Sequence, residues 1–333
     1  MKAPSRRTSR IVALVVAVFV VVAIVLVAID WKEVKSVVAK ASWPPTVVAV
    51  AFALASDACL SYGYVLVNRA FSIRLKTMDL LQIGFVSSTI NNIMAFLGAA
   101  GHSMRLMLLR QRSVESGEII GASLFHSYVN NVIMLALFVV GLVSLLFHHS
   151  VTAGSPVAVV FGVVVIVALF AVVTAMVLVQ SLRRWILNAA MRLWHSVTRR
   201  DASGFMIDLD NAMTRGLQAF GTHRFLLTAM LTVMAAEWAF AAGGLWFCFA
   251  ALGKPPHVFL LLAGFSIGIS AGNLSMLPGG IGVQEASMAG VFAFLGVPFG
   301  QAALAAIMFR IANNFIPFFL SLPLYLRLLR KNS

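Results

Sequence analysis

The chain has 333 residues, 61% of them hydrophobic and 11% charged, with a net charge of +14 and two cysteines. A mean hydropathy of +0.96 excludes a soluble domain of this length and marks a polytopic membrane protein. The basic residues are scattered over several short loops, which fits an anionic leaflet and excludes a nucleic-acid reader.

Arg6, Arg7 and Arg10 precede an apolar run over 11–29. It is longer than the ~7–15-residue core of a secretory signal, so a first spanning helix leaving the cytoplasm is predicted. Trp31 and Trp43 then flank a mixed-charge loop at the interface. A second span covers about 46–68 and returns to Arg69, Arg74 and Lys76. It carries Asp57 at roughly 16 Å depth, near the bilayer centre. A charge there is costly and is expected to face a cavity or a partner.

The segment 78–97 is apolar but holds Gln82, Ser87, Ser88, Thr89, Asn91 and Asn92. The glycine-tipped stretch 98–101 follows, then His102 and Arg105. Basic residues on both sides predict a hairpin over 78–113 that dips in and returns. A long span over 118–147 holds His126, Asn130 and Asn131, with His126 read as a packed hydrogen-bonder. A valine-rich span over 151–179 leads into a basic connector that runs to 223. There Leu182, Trp185, Ile186, Ala189 and Leu193 fall at helical spacing among arginines, predicting an amphipathic helix on the cytoplasmic leaflet. Met206, Leu209, Met213, Leu217 and Phe220 repeat the pattern in a second helix capping that end; a plain solvated connector is the alternative.

The span over 225–250 carries Glu237 near its centre. The second hairpin, 257–296, is built around Leu277–Glu285, L-P-G-G-I-G-V-Q-E. Pro278 lacks an N–H, and Gly279, Gly280 and Gly282 permit positive φ, so a helix cannot run through. Inside a bilayer such a break is tolerated only where its backbone is buried in protein or lines a wet cavity. The last span, 300–326, brings Arg310 to mid-depth and Asn313 and Asn314 one turn later, and ends at Arg327, Arg330 and Lys331.

An internal repeat runs through these elements. Asp57, Gly63, Gly84 and Leu97 recur as Glu237, Gly243, Gly264 and Leu277 at one constant spacing. With a small slip, the 98–101 tip overlies 279–282, and Asn130-Asn131 overlies Asn313-Asn314. One unit starts outside and the other inside, so the two point in opposite directions. The expectation is an all-α polytopic membrane protein of about six full transmembrane helices plus two re-entrant helical hairpins in an inverted repeat. It forms one membrane domain, with a first half over 10–147, a helix and connector over 151–223 and a second half over 224–330.

Asp57, Glu237, Glu285, Arg105 and Arg310 fall within or at the edge of apolar sequence. Each is costly alone at mid-depth, so pairing is expected, with Arg310 on Glu285 or Glu237. Either these pairs only hold helices together, or they line a polar cavity between the halves. In the second reading Arg310 attracts a phosphate, helped by free N–H groups after the hairpin glycines. His102 and the amides Asn92, Asn130, Asn273 and Asn313 line the slot, and Pro278, Gly279, Gly280 and Gly282 shape its tip. The acidic residues hold a cationic headgroup or a coupling proton. Cys59 and Cys248 lie in apolar segments, and no metal-ligand cluster, cofactor motif or catalytic set is present in the sequence.

The P-G-G-I-G-V-Q-E motif, followed by a small-residue apolar helix, resembles the transmembrane region of the lysylphosphatidylglycerol synthase family of flippase-like membrane proteins. The resemblance covers roughly 10–330 and implies movement of lipid-linked amphiphiles between leaflets. Some members carry a soluble aminoacyl-transfer domain; this chain runs to Ser333 without one, so an enzyme is not expected. The second hairpin matches the family at Pro278, Gly279, Gly280, Gly282 and Glu285. The first departs from the family's P-x-x-x-G-E, with Leu97 in the proline place and His102 in the acidic place. The functional expectation is a flippase-type transporter of a polar-headed lipid in the bacterial inner membrane, with both termini cytoplasmic. Its partners are membrane lipids, anionic or lipid-linked, and homo-oligomer formation is left open. The rival expectations are a transporter of a small soluble metabolite and a non-catalytic membrane partner of a lipid-modifying enzyme.

Overall fold

A computed structural model describes residues 42–94, 99–148, 156–198, 203–253, 255–275 and 277–330. The span expected over 11–29, its loop and the first-hairpin residues 95–98 lie outside them. The described residues are helical throughout: α1 (Trp43–Ala70), α2 (Thr77–Met94), α3 (Ala99–Arg110), α4 (Ser116–His148), α5 (Pro156–Leu178), α6 (Gln180–Thr198), α7 (Ser203–Thr222), α8 (Arg224–Ala251), α9 (Val258–Leu274), a 3-10 turn (Pro278–Gly280), α10 (Val283–Phe294), α11 (Phe299–Arg310), a π-helical segment (Ile311–Phe315) and α12 (Ile316–Arg330).

Four of these are long and apolar enough to cross a bilayer: α1, most of α4, α8, and the continuous rod Phe299–Arg330. A fifth comes from α5 with α6, which bend by 94° where they meet. The chain is therefore a multi-pass membrane protein. Of the six spans expected, the described residues hold four, or five with α5. By contrast α3 and α10 have 12 residues each. At ~1.5 Å per residue they reach about 18 Å, too short for the ~30 Å hydrocarbon core.

Each short helix instead folds back on its predecessor. Arg105 of α3 bonds Ser87 of α2, and Gly101 lies over Asn91, an antiparallel register. In the second pair Gly264, Gly268 and Gly272 of α9 face Phe292, Met288 and Gln284 of α10. These glycines recur every fourth residue, so they form one stripe on α9 and let α10 approach closely. A Cβ at Gly264 would lie 2.4 Å from the Phe292 ring.

Two apolar clusters stack along the bundle. One gathers the end of α1, the bases of α2 and α3, the start of α4, α7 and Leu328 of α12. The other gathers the second half of α8 with α9, α10 and α11. Helices α1 and α8 run antiparallel through both: Gly63 faces Met234 near one end and Gly243 faces Phe52 near the other. The lengths repeat as well, 28, 18, 12 and 33 residues in α1–α4, against 28, 17, 12 and 32 from α8 to the last rod.

The basic connector is structured. Helix α7 buries Leu209, Met213 and Phe220 in the first cluster. Buried Asp210 on α7 accepts from Arg183 at 2.7 Å and Arg184 at 2.8 Å, tying α6 to α7. Burial alone would raise this carboxyl, but the bonds from Arg184 and Arg183 outweigh it and hold it below the ordinary carboxylate range. On α6, Trp185 and Leu193 remain exposed beside Arg192.

Candidate functional site

Between the two apolar clusters lies a polar cavity of about 400 Å³. Its walls come from the middle of α1, both hairpin tips, the middle of α4, α8 and the π-helical segment. The position follows from the short returning helices: α3 and α10 have 12 residues each, and the second turn stops at the level of the cavity. The tips touch there. A Cβ at Gly279 would lie 2.8 Å from the Asn92 carbonyl oxygen, and one at Gly280 2.9 Å from the Gly272 backbone. Both glycines also have positive φ, 61° and 62°. These two contacts explain why the turn is built from residues without side chains.

The second tip is closed by its own residues. Arg310 of α11 donates through Nε to the Glu285 carboxylate. Its Nη1 donates to the Gly279 carbonyl at 2.9 Å, and its Nη2 to Gly280 and the Gln284 amide oxygen. Glu285 in turn accepts from the Gly282 N–H at 2.7 Å, satisfying one free donor at the start of α10. The pairing of Arg310 with Glu285 is thus present, and that with Glu237 is not. Every nitrogen of the guanidinium faces a protein acceptor. Arg310, Glu285, Pro278 and Gly282 stand behind the cavity wall and do not line it.

The first tip is different. His102, next to Gly101 at the tip, and Ser127 of α4 both line the cavity. No carboxylate pairs with Arg105 among the described residues. It is buried, donates through Nε to Ser87 at 2.9 Å and lies 4.2 Å above the Tyr64 ring. Its Nη1 has no hydrogen-bond partner. A guanidinium held by a ring on one face and a hydroxyl on one edge leaves donor capacity at Nη1, which suits an anion.

The remaining expected residues gather in the same cavity: Asp57, Glu237, Asn92, Asn130, Asn273, Asn313, Gly279 and Gly280. Asn130 accepts from the Trp238 indole at 2.9 Å, joining α4 to α8. His126 contacts the Leu60 carbonyl at 3.2 Å and packs edge-on to Tyr64, the packed role expected of it. Sequence reading passed over Ser56, Ser88, Ser127, Trp238 and Gln284, which also line the wall. Gln284 was within reach, since it lies inside the motif next to Glu285. The indole of Trp238 carried no signal before its partner was known. The π-helical segment bulges the rod where Asn313 and Asn314 meet the cavity.

A family model described as the lysylphosphatidylglycerol synthase TM region matches residues 11–321. The chain belongs to that family. A UPF0104 membrane protein of Methanothermobacter thermautotrophicus is 27% identical over 248 residues, covering 72% of this chain and 70% of the relative. In this member of the lysylphosphatidylglycerol synthase TM region family the motif residues of the second hairpin form the closed tip. Of the departures in the first hairpin, His102 lies on the cavity wall.

Proposed function

We propose that the chain is a flippase-type transporter that moves a lipid with a phosphate-bearing polar headgroup across the bacterial inner membrane. The headgroup occupies the mid-height cavity and the tails stay in lipid. The observation that carries this reading is Arg105: a buried cation at a polar cavity, with an unpartnered Nη1 and no carboxylate partner among the described residues. Holding an uncompensated charge at such depth costs several kcal/mol, roughly, and calls for an anionic visitor.

In this reading the units over 43–148 and 224–330 form an inverted repeat, and α2–α3 and α9–α10 are re-entrant hairpins from opposite faces. Repeated helix lengths, the antiparallel α1–α8 pair and the meeting tips support it. In this reading that end of the bundle and both termini are cytoplasmic, a reading supported by Arg69, Arg74, Arg112, Arg224 and Arg327, which flank helix ends at the first cluster. The partners are membrane lipids, no enzymatic step is invoked, and no cofactor is required.

The test is reconstitution into phospholipid vesicles with fluorophore-labelled lipids, comparing the native chain with Arg105→Ala. A charge-assisted contact of ~1.5–3 kcal/mol corresponds to a rate loss on the order of 10- to 100-fold. Unchanged lipid movement in the variant would remove Arg105 from the site. Uptake of a soluble anion without lipid movement would turn the reading to a metabolite transporter. Binding to a lipid-modifying enzyme with no movement at all would make the chain a membrane partner.

A further inference from the structure

The cavity holds a second feature that an anion site does not use. Asp57 is 4% exposed and Glu237 7% exposed, and both line the wall. The antiparallel register that sets Gly63 against Met234 and Phe52 against Gly243 brings Asp57 and Glu237 to neighbouring turns of the two helices, and both line the same cavity. The two lie within each other's electrostatic reach. Neither forms an ion pair among the described residues: the arginines that do so sit on Glu285, Asp210 and Glu118. One oxygen of each, Asp57 Oδ2 and Glu237 Oε2, has no hydrogen-bond partner.

We propose that Asp57 and Glu237 together form a binding site for one monovalent cation, a proton or an alkali-metal ion, whose occupancy drives the transport cycle. Two facing carboxylates in a poorly hydrated wall repel, and a single positive charge between them removes most of that cost. The unpartnered carboxylate oxygens Asp57 Oδ2 and Glu237 Oε2 are the hard oxygen donors that such an ion takes. The place suits coupling. Each carboxylate stands on the first helix of its half, so movement of one half against the other changes their separation and hence cation affinity. The other titratable or charged groups facing the pair are His102 and Arg105 of α3, His126 of α4 and Cys59 of α1. Helix α9, helix α10 and the π-helical segment bring only amides. Arg105 is held over the Tyr64 ring and does not close the pair.

The binding site stands by itself; its coupling role rests on the transport reading above. The test of binding uses the full chain in detergent with dicyclohexylcarbodiimide, which modifies protonated carboxyls in apolar surroundings, and peptide mass spectrometry. Adducts are expected on Asp57 or Glu237. Raising pH suppresses them several-fold if the ion is a proton; sodium or potassium at fixed pH suppresses them if it is an alkali ion. In Asp57→Asn the suppression at Glu237 is lost. Absence of adducts at both positions, or adducts indifferent to pH and to either salt, overturns the site. In vesicles of phosphatidylethanolamine and phosphatidylglycerol with labelled phosphatidylglycerol, a gradient of the same ion changes the native rate several-fold and leaves Asp57→Asn/Glu237→Gln indifferent. Suppressible adducts with native lipid rates equal under every gradient overturn the coupling and keep the transport reading. Suppressible adducts with no lipid movement support the site and overturn the lipid reading.

Discussion

The two hairpin tips solve the same physical problem in opposite ways. Both bring polar side chains to the cavity between the two apolar clusters, where unpaired polar groups are expensive. The second tip satisfies itself: Arg310 reaches Glu285, two glycine carbonyls and Gln284, and Glu285 reaches the Gly282 N–H. The first tip puts His102 and Arg105 on the cavity wall and leaves the Arg105 Nη1 buried without a hydrogen-bond partner. A charge that is fully paired holds structure. One held on a single hydroxyl and a ring is available to a ligand. The tip carrying the recognisable motif is therefore held by its own arginine, and the tip that departs from it is not.

The comparison can be broken most directly at Arg310. Arg310→Ala leaves the Glu285 carboxylate buried without its partner, a loss of about 3–5 kcal/mol. The expected result is little folded protein on size-exclusion chromatography in detergent, with partial recovery in Arg310→Met/Glu285→Leu. A native melting profile for Arg310→Ala would show that the second tip is not held by this pair. A slightly smaller loss is expected from Gly264→Leu, whose side chain must displace the Phe292 ring; overpacking of this kind costs about 1–3 kcal/mol. It should lower the melting temperature while Gly290→Ala, where a Cβ meets nothing within 4 Å, does not.

Arg105→Met sharpens the contrast from the other side. It removes an uncompensated buried charge, so stability should stay within about 1 kcal/mol of native or rise, while lipid movement is lost. A melting temperature that falls as far as in Arg310→Ala would make the two arginines equivalent and sink the distinction between the tips. The smallest effect is expected at the connector. Asp210 has a depressed folded value, so its contribution is present above the unfolded carboxylate range near about 4 and is lost as pH falls through the lower folded value. Acid titration of amide hydrogen exchange in α6 should show protection falling in that window, and Asp210→Asn should lack this step.

Much of the frame was legible in the chain itself. Long apolar runs marked the spanning helices, and the breaker residues Pro278, Gly279, Gly280 and Gly282 marked the turn between α9 and α10, because a helix cannot run through them. The connector helices were legible from the spacing of Leu209, Met213 and Phe220, although Asp210 as their clasp was not: a single acid among arginines carries no direction. The membership of Asp57, Glu237, His102 and the four asparagines in one cavity could be anticipated, since polar groups at equal depth have nowhere else to go.

What sequence by itself determined is depth: how far along each helix a charge or a break lies, fixed by rise per residue and by the cost of burying it. Only the tertiary structure decided who faces whom. The rotation of each helix and the rotamer of each arginine depend on neighbours far away in the chain. So Arg310 and Arg105, alike as letters at similar depth, became a closed clamp and an open hand.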